Sequence, residues 1–329
     1  MRVLLTGSSG WLGRHLAPRL VAAGHEVVGL DIAPSGSTNV VGTVADRDLV
    51  DRTIAAHGIE AIVHGGALHK PDIARHPRQA FVDVNVTGTL NLLEAAIAAG
   101  HDRFVFTSTT SLMVRDDVRA GADTAGAWWM DEDFGPLAPR NIYGVTKFAA
   151  EQLCRLAHRD SGMAVAILRT SRFFPEDDDT HAVPSGPNLK AIELLHRRLT
   201  AEDAAGAHLA ALERAPEIGC DTFIVSAPPP FARSDAAELA RDAASVIARY
   251  YPQAPALFAR QGWVLPEAIE RVYDPGRAER LLGWRAKTDF ASVLAALAEN
   301  TPLPFAHDPA YVSPAVAQPA SREPDPCTN

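Results

Sequence analysis

Short apolar segments alternate along the chain with longer stretches in which apolar residues recur every three or four positions. The short segments, each typical of a buried strand, lie at residues 2–7, 26–31, 40–44, 61–66, 103–108, 165–170 and 222–227. The longer stretches, which predict helices, lie at residues 11–23, 46–57, 76–99, 143–160 and 201–214. Because parallel strands need crossover helices, this alternation predicts an α/β fold of Rossmann type, a doubly wound parallel sheet with helices on both faces.

The alternation also predicts how the chain is divided. We expect the core to comprise residues 1–170, 201–227 and about 275–300. Residues 171–200 and 228–274 are less periodic and leave the sheet at its ligand-binding edge, so we expect a small discontinuous C-terminal cap over the substrate. Residues 301–329 are rich in Pro and Ala, which predicts either an extended tail or a segment wrapped back over the protein. The connection at 111–142 contains two tryptophans, which could cover the active site or pack the loop.

Composition narrows the class of protein. The formal charge of −9 disfavours a nucleic-acid partner, because binding phosphates requires clustered Lys and Arg. The three cysteines are far apart, so we expect neither a disulfide framework nor a metal site, and a reducing compartment. No signal peptide is expected, and no apolar stretch reaches the ~18 residues that span a membrane. These features predict a soluble cytoplasmic protein.

A glycine-rich segment, "TGSSGWLG", joins the first predicted strand to the first predicted helix. Gly7, Gly10 and Gly13 would let the backbone approach a pyrophosphate, towards which the helix N-terminus directs free N–H groups. Asp31 ends the second predicted strand, where a carboxylate can accept both ribose hydroxyls and would repel a 2′-phosphate. The segment therefore predicts a dinucleotide site that favours NAD over NADP. The alternative is a purely structural strand–helix turn.

Tyr143 and Lys147 are four residues apart on a predicted helix and therefore share a face. A free tyrosine has a pKa of ~10, and a nearby ammonium group lowers it enough for exchange of a proton with a carbinol. Ser108, Thr109 and Thr110 lie at the C-terminal end of the fifth predicted strand, where a hydroxyl would reach the same substrate oxygen. An ordinary surface pair of Tyr and Lys is the alternative.

These motifs together resemble the NAD-dependent epimerase/dehydratase branch of the extended short-chain dehydrogenase/reductase superfamily, over roughly residues 1–300. Besides the glycine segment and Asp31, the resemblance rests on "AIVHGGA", "NVTGTLNLLEAA", "FVFTSTTS", "YGVTK", "RRLTAEDAAGAHLAAL" and "RAERLLGWRAKTDF". It implies an NAD-dependent oxidoreductase of carbohydrate metabolism. It also implies a homodimer formed through the helices at 76–99 and 143–160.

The resemblance implies a role for each matching residue. The residues expected to bind the cofactor are Gly7, Gly10, Trp11, Leu12, Gly13, Asp31, Val44, Gly65, Gly66, Ala67, Asn85, Tyr143 and Lys147. Among them, Trp11 and Leu12 would contribute backbone N–H groups, and Asn85 would support the strand ends around the cofactor. Thr109 matches the catalytic Ser/Thr, Tyr143 would be the general acid/base, and Lys147 would bind the nicotinamide ribose and tune Tyr143. Thr109, Thr110 and Arg172 are expected to bind substrate.

Two departures from the family pattern stand out. Thr43 occupies the place of an Asp that reads the adenine, leaving either Asp46 or the Val44 backbone for that task. Arg172, in "RTSRFFPEDDD", replaces an Asn of sugar-nucleotide epimerases. An Arg facing the substrate suggests a carboxylate or phosphate, whereas the alternative is an ion pair with residues 177–179.

Length bears on the substrate. Only about thirty residues separate Arg169 from "RRLT", and the "GRRxGD" stretch that helps sugar-nucleotide enzymes grip a diphosphate is absent. Both features indicate a smaller substrate, and "SRFFPE" is loosely similar to uronate-type sugar dehydrogenases. We therefore predict an NAD-dependent dehydrogenase that oxidises a secondary alcohol of a sugar or sugar acid. The alternatives are a UDP-glucose 4-epimerase-like enzyme with tightly held NAD and a non-catalytic NAD(H)-sensing protein. His69 could reach the substrate, but we expect a solvated loop histidine.

Overall fold

A computed structural model describes residues 1–119, 126–173 and 184–307 of the chain. The described residues contain nine strands: β1 (Arg2–Thr6), β2 (Glu26–Asp31), β3 (Val40–Val41), β4 (Ala61–His64), β5 (Arg103–Thr109), β6 (Trp128–Met130), β7 (Ala164–Thr170), β8 (Cys220–Val225) and β9 (Arg271–Tyr273). Seven of them form one parallel sheet in the order β3-β2-β1-β4-β5-β7-β8. The strand order reverses between β1 and β4, which is where such sheets bind ligands. The predicted fold class is confirmed.

Thirteen α-helices accompany these strands in the described part of the chain. They are α1 (Trp11–Ala22), α2 (Arg47–His57), α3 (Arg78–Phe81), α4 (Gly88–Ala98), α5 (Asp116–Arg119), α6 (Ile142–Ser161), α7 (Gly186–Glu193), α8 (Ala201–Ile218), α9 (Ala236–Leu239), α10 (Ala243–Tyr250), α11 (Ala254–Arg260), α12 (Gly276–Leu282) and α13 (Phe290–Glu299). A π-helical turn at Val82–Thr87 joins α3 to α4, so the single predicted helix at 76–99 is continuous but locally widened.

Most of the core consists of two apolar layers, one on each face of the sheet, and a smaller apolar cluster contains Met113 and Met130. Val3 and Leu5 of β1 pack into one layer, whereas Leu4 between them packs into the other. This alternation follows from the two-residue period of a strand and explains why the central strands are apolar throughout. None of the described helices is both long and apolar enough to cross a membrane.

A second, two-stranded sheet pairs β6 with β9, and the sequence pattern did not predict it. Strands of three residues are too short to show a period, and their partners are more than a hundred residues apart. The sheet resolves the alternatives for the two tryptophans. Trp129 Nε1 donates to Asp274 Oδ2 at 3.0 Å, and Trp128 packs edge-on against Phe134. Both side chains therefore pack the connection.

The first residues of the predicted tail lie against the protein. Leu303 and Phe305 pack on the core layer that contains α8, and Lys190 Nζ donates to the Ala306 carbonyl oxygen at 3.0 Å. Residues 308–329 lie outside the described residues. Of the two alternatives for the tail, residues 301–307 therefore follow the second, a segment wrapped back over the protein.

Candidate active site

Two adjoining cavities follow the carboxyl ends of the central strands. The larger, of about 330 Å³, lies along the glycine segment, and the smaller, of about 230 Å³, lies beside Tyr143 and Lys147. The walls of both include Gly65, Ala67, His69, Thr107 and Phe173. A ligand in one cavity would therefore meet a ligand in the other.

The glycine segment forms a tight turn that only small residues permit. Gly7 has φ +74°, and a Cβ there would lie 2.7 Å from the Gly66 amide nitrogen. A Cβ on Gly13 would overlap the Gly7 carbonyl oxygen, so Gly13 packs α1 onto the turn instead of lining the cavity. Gly7, Gly10, Trp11 and Leu12 do line it, and α1 begins there with no acidic residue in its first turn. This arrangement fits a pyrophosphate.

Asp31 stands at the end of β2, in the wall of the larger cavity. Its Oδ2 accepts a hydrogen bond from the Ser9 amide and its Oδ1 accepts one from the Ala33 amide, each at 3.0 Å. These bonds hold the carboxylate against the glycine segment. Each oxygen retains further acceptor capacity, as a carboxylate that binds ribose hydroxyls requires.

The far end of the larger cavity is lined by Thr43 and Val44. The Val44 carbonyl oxygen accepts from Asn91 Nδ2 at 3.0 Å, which fixes the backbone there. Asp46 instead caps α2, since its Oδ1 accepts from the Leu49 amide at 3.0 Å, and it is not part of the cavity wall. Of the two sequence-based alternatives for the adenine, the Val44 backbone is therefore the one at the cavity.

Asn85 lies behind the wall of the cavity and is 1% exposed. Its Oδ1 accepts from the Leu68 amide at 2.8 Å, while Nδ2 donates to the Leu68 carbonyl oxygen and to Thr146 Oγ1. The amide thus holds Leu68, which lines the cavity, and ties it to α6. This position agrees with the predicted support of the strand ends. It does not agree with a direct contact with the cofactor, because the polar atoms of the side chain already bind Leu68 and Thr146.

The Tyr and Lys pair is buried, which excludes the surface-pair alternative. Asn141 caps α6 through the Gly144 amide, so Tyr143 and Lys147 lie on its first two turns. The two residues are 7% and 3% exposed, and both line the smaller cavity. Lys147 Nζ lies 4.0 Å from the centre of the Phe106 ring, and burial lowers the Lys147 pKa to about 7. With a pKa near 7, the Lys147 side chain can exchange between its ammonium and amine forms at neutral pH, and it shares a helix face with Tyr143.

Three hydroxyls lie at the carboxyl end of β5 in the smaller cavity, and their hydrogen bonds distinguish them. Ser108 Oγ donates to Glu151 Oε1 at 2.7 Å, and Thr110 Oγ1 donates to the Thr170 carbonyl oxygen at 3.3 Å. Thr109 Oγ1 instead accepts from the Ser111 amide at 3.1 Å, which leaves its own proton for a ligand. Thr109 is therefore the hydroxyl suited to donate to a substrate oxygen.

His69 corrects a sequence-based expectation. It lines both cavities instead of standing in solvent, and its ring centre lies 5.9 Å from that of Tyr143. Burial lowers the pKa of His69 to about 4, so the ring is neutral at pH 7. The signal available in the sequence was its place, a few residues after a central strand, because the loops after parallel strands form the site.

Arg172 lines the smaller cavity, where its Nη1 lies 3.4 Å from Glu193 Oε2. The carboxylates proposed as its alternative partners, residues 177–179, lie outside the described residues. Arg197 and Arg198 also pair with Glu193, each at 2.7 Å. Burial alone would raise the Glu193 pKa, but these arginines outweigh burial and hold it at about 2. The further arginines in the cavity wall, which the sequence did not single out, are Arg119, Arg140, Arg197 and Arg271.

The parallel sheet, the glycine turn and the buried Tyr143 and Lys147 define a short-chain dehydrogenase/reductase. A model of the NAD dependent epimerase/dehydratase family matches residues 3–219. The chain therefore belongs to this family, which confirms the predicted resemblance and, at the level of the family, NAD as the cofactor. No group of three His, Cys, Asp or Glu side chains suited to a metal ion occurs within residues 1–119, 126–173 and 184–307.

Curated relatives include enzymes with different activities. The chain is 33% identical over 199 residues to the UDP-glucose 4-epimerase of Rhizobium meliloti (strain 1021), covering 55% of this chain and 58% of that one. It is 33% identical over 191 residues to the 3-beta-hydroxysteroid dehydrogenase of Mycolicibacterium neoaurum, covering 54% and 49%. The chain thus spans about half the length of the curated relatives it matches.

Solved structures resemble nearly the whole chain. A short-chain dehydrogenase/reductase superfamily protein from Agrobacterium tumefaciens with bound NAD has a TM-score of 0.64 and 25% identity, covering 91% of this chain and 96% of that one. The NAD complex of UDP-glucose 4-epimerase from Thermus thermophilus has a TM-score of 0.61 and 22% identity, covering 91% and 99%. The second likeness supports the fold alone.

Proposed function

We propose that this protein is an NAD-dependent dehydrogenase that oxidises a secondary alcohol on a substrate of sugar or sugar-acid size. The observation that carries the proposal is the smaller cavity, in which Thr109, Tyr143 and Lys147 meet in a volume of about 230 Å³. The short segment between Arg169 and "RRLT" and the absence of a "GRRxGD" stretch support a substrate smaller than a nucleotide sugar.

The residues of the chain divide the chemistry between them. Bound NAD would supply the hydride acceptor, held by Gly7, Gly10 and the first turn of α1, with Asp31 on a ribose. The Tyr143 phenolic oxygen takes the proton of the substrate hydroxyl, and the Thr109 hydroxyl donates a hydrogen bond to that same oxygen. In its ammonium form, Lys147 would stabilise the ionised phenol from the same buried helix face.

A sugar-nucleotide epimerase is the second candidate, since UDP-glucose 4-epimerases are among the relatives of this chain. In that case the hydride returns to the substrate, and no NADH accumulates. A non-catalytic NAD(H)-sensing protein is a third candidate. The burial of Tyr143 and Lys147 beside a cavity argues against it, because a sensor needs no acid/base pair.

Absorbance at 340 nm during incubation of NAD+ with uronic acids and aldoses tests the proposal. We expect net NADH formation with at least one substrate and a fall of about 1,000-fold in kcat for Tyr143→Phe, with NAD+ binding retained. Tyr250→Phe is the matched control, because Tyr250 hydrogen-bonds Asp235 outside both cavities. Isomerised sugar nucleotide without NADH would favour the epimerase, and full activity of Tyr143→Phe would refute this mechanism.

We also propose that the protein forms a homodimer. Leu90 and Ile97 on α4 and Val145 and Leu156 on α6 are each more than a third exposed, which supports a homodimer through these helices. Sedimentation of the purified protein tests this, and a monomer at micromolar concentration would contradict it. The division into core and cap and the cytoplasmic location stay predictions.

A further inference from the structure

Arg271 is a buried cation in the wall of the smaller cavity. It lies on β9 and is 8% exposed, and its Nε is buried without a hydrogen-bond partner. Among the described residues, no carboxylate forms an ion pair with its guanidinium group. An arginine buried in this way is costly unless an anion joins it, because the charge has left water without compensation.

Arg197 is held beside Arg271 by the backbone. His196 Nδ1 donates to the Arg271 carbonyl oxygen at 2.9 Å, and the Tyr273 amide donates to the His196 carbonyl oxygen at 2.9 Å. Burial and the two flanking arginines lower the pKa of His196 to about 3, so this connection is uncharged at pH 7. Arg197 pairs with Glu193 through Nη2, yet its Nε is also buried without a hydrogen-bond partner.

The two arginines differ in their counter-charge. Arg197 pairs with Glu193, whereas Arg271 has no carboxylate partner among residues 1–119, 126–173 and 184–307. A neutral substrate would leave the charge of Arg271 uncompensated, whereas an anionic substrate would offset it.

We propose that Arg271 and Arg197 form an anion-binding subsite that takes a carboxylate of the substrate. The alcohol oxidised at Tyr143 then belongs to a hydroxy acid of sugar size, which rests on the proposed dehydrogenase function. The guanidinium fork binds carboxylates and phosphates alike. The carboxylate is the smaller group and suits a cavity of about 230 Å³ that must also hold the carbon chain. Arg172, which pairs with Glu193, lines the same cavity beside this subsite.

A pair of substrates that differ in one group tests the subsite. A hexuronic acid and the matching aldohexose are each oxidised with NAD+, and kcat/KM is compared. We expect the wild-type protein to prefer the acid by about 100-fold, mainly through KM. Arg271→Leu should remove this preference by lowering kcat/KM for the acid about 100-fold and that for the aldose less than about 3-fold. Arg271→Lys should retain part of the preference, because it keeps the charge and loses the fork.

Arg103→Leu is the matched control. Arg103 is also largely buried, with a side chain 17% exposed, but it pairs with Asp102 and lies outside the cavity wall. Its replacement should leave the preference for the acid unchanged. Thermal melting checks that each variant folds. If Arg271→Leu does not fold, the comparison is made with Arg271→Lys instead.

Calorimetric titration of an aldaric acid in the presence of NADH separates the two proposals, since no oxidation occurs. Binding weakened about 100-fold by Arg271→Leu supports the subsite even if no tested alcohol yields NADH, in which case the dehydrogenase proposal fails alone. Equal kcat/KM for acid and aldose, unchanged in Arg271→Leu, overturns the subsite and leaves the dehydrogenase intact. A phosphorylated aldose preferred over the acid, in an Arg271-dependent way, overturns the assignment to a carboxylate.

Discussion

The two cavities are lined by different kinds of residue. Five glycines and a set of mostly apolar side chains line the larger cavity, and its carboxylates are Asp31 and Asp72. The smaller cavity is formed by side chains that include Thr109, Tyr143, Arg172 and Arg271, each from a different segment. A ligand held by backbone is recognised by geometry that many sequences can form. A ligand held by side chains depends on which residues those segments carry, so the family identifies the cofactor and leaves the substrate to the individual chain.

The largest effect on ligand binding should come from obstructing the glycine turn of the larger cavity. Gly13→Ala places a Cβ against the Gly7 carbonyl oxygen, which must displace the turn that faces the pyrophosphate. We expect NAD+ affinity to fall by about 100-fold or more, measured by calorimetry. Gly36→Ala is the control, because a Cβ there meets nothing within 4 Å. Unchanged affinity in Gly13→Ala would mean that this turn does not hold the cofactor.

Glu193→Gln should have a smaller effect, confined to substrate binding in the smaller cavity. The charge that aligns Arg172, Arg197 and Arg198 is lost, so these side chains repel one another and shift within the cavity. We expect KM for an acidic substrate to rise about 10-fold while NAD+ affinity stays constant.

Glu132→Gln is the matched control for that change. Glu132 is also buried, with a side chain 3% exposed, and it faces Arg277 away from both cavities. Both variants should be less stable than wild type, but only Glu193→Gln should alter KM. A loss of NAD+ affinity in Glu193→Gln would show that the two ends are not independent.

The smallest effect is on stability against pH. Burial lowers the pKa of His208, beneath β5, to about 4, against ~6.5 in an unfolded chain. Between these values the unfolded chain binds a proton that the folded chain does not, so stability falls as pH decreases from about 6.5 to about 4. In thermal melts we expect His208→Gln to lose about 1 kcal/mol less than wild type between pH 7 and pH 5.5. An identical loss in both proteins would contradict the assignment.

Sequence alone predicted much of the cofactor end and little of the substrate end. The strands from β1 to β8 in the main sheet and the long helices were visible because their apolar periods extend over several residues. Gly7 and Asp31 could be assigned to a dinucleotide site because the turn and the strand that follows lie close together in the sequence. Asn85 was assigned to this region by resemblance, but its contact with Leu68 joins two segments and could not be derived from spacing. Tyr143 and Lys147 were found because one helix carries both.

The amino-acid sequence by itself determined the parallel fold, the glycine turn and the shared helix face of Tyr143 and Lys147. These are local properties, since a strand period, a positive φ and an i,i+4 spacing depend on neighbours along the chain. Only the tertiary structure decided that His69 lies beside Tyr143 and that Arg197 and Arg271 meet in one cavity. Those two arginines are brought together by a hydrogen bond from His196 to β9, across more than seventy residues. The charge at the substrate end arises from this contact between distant segments.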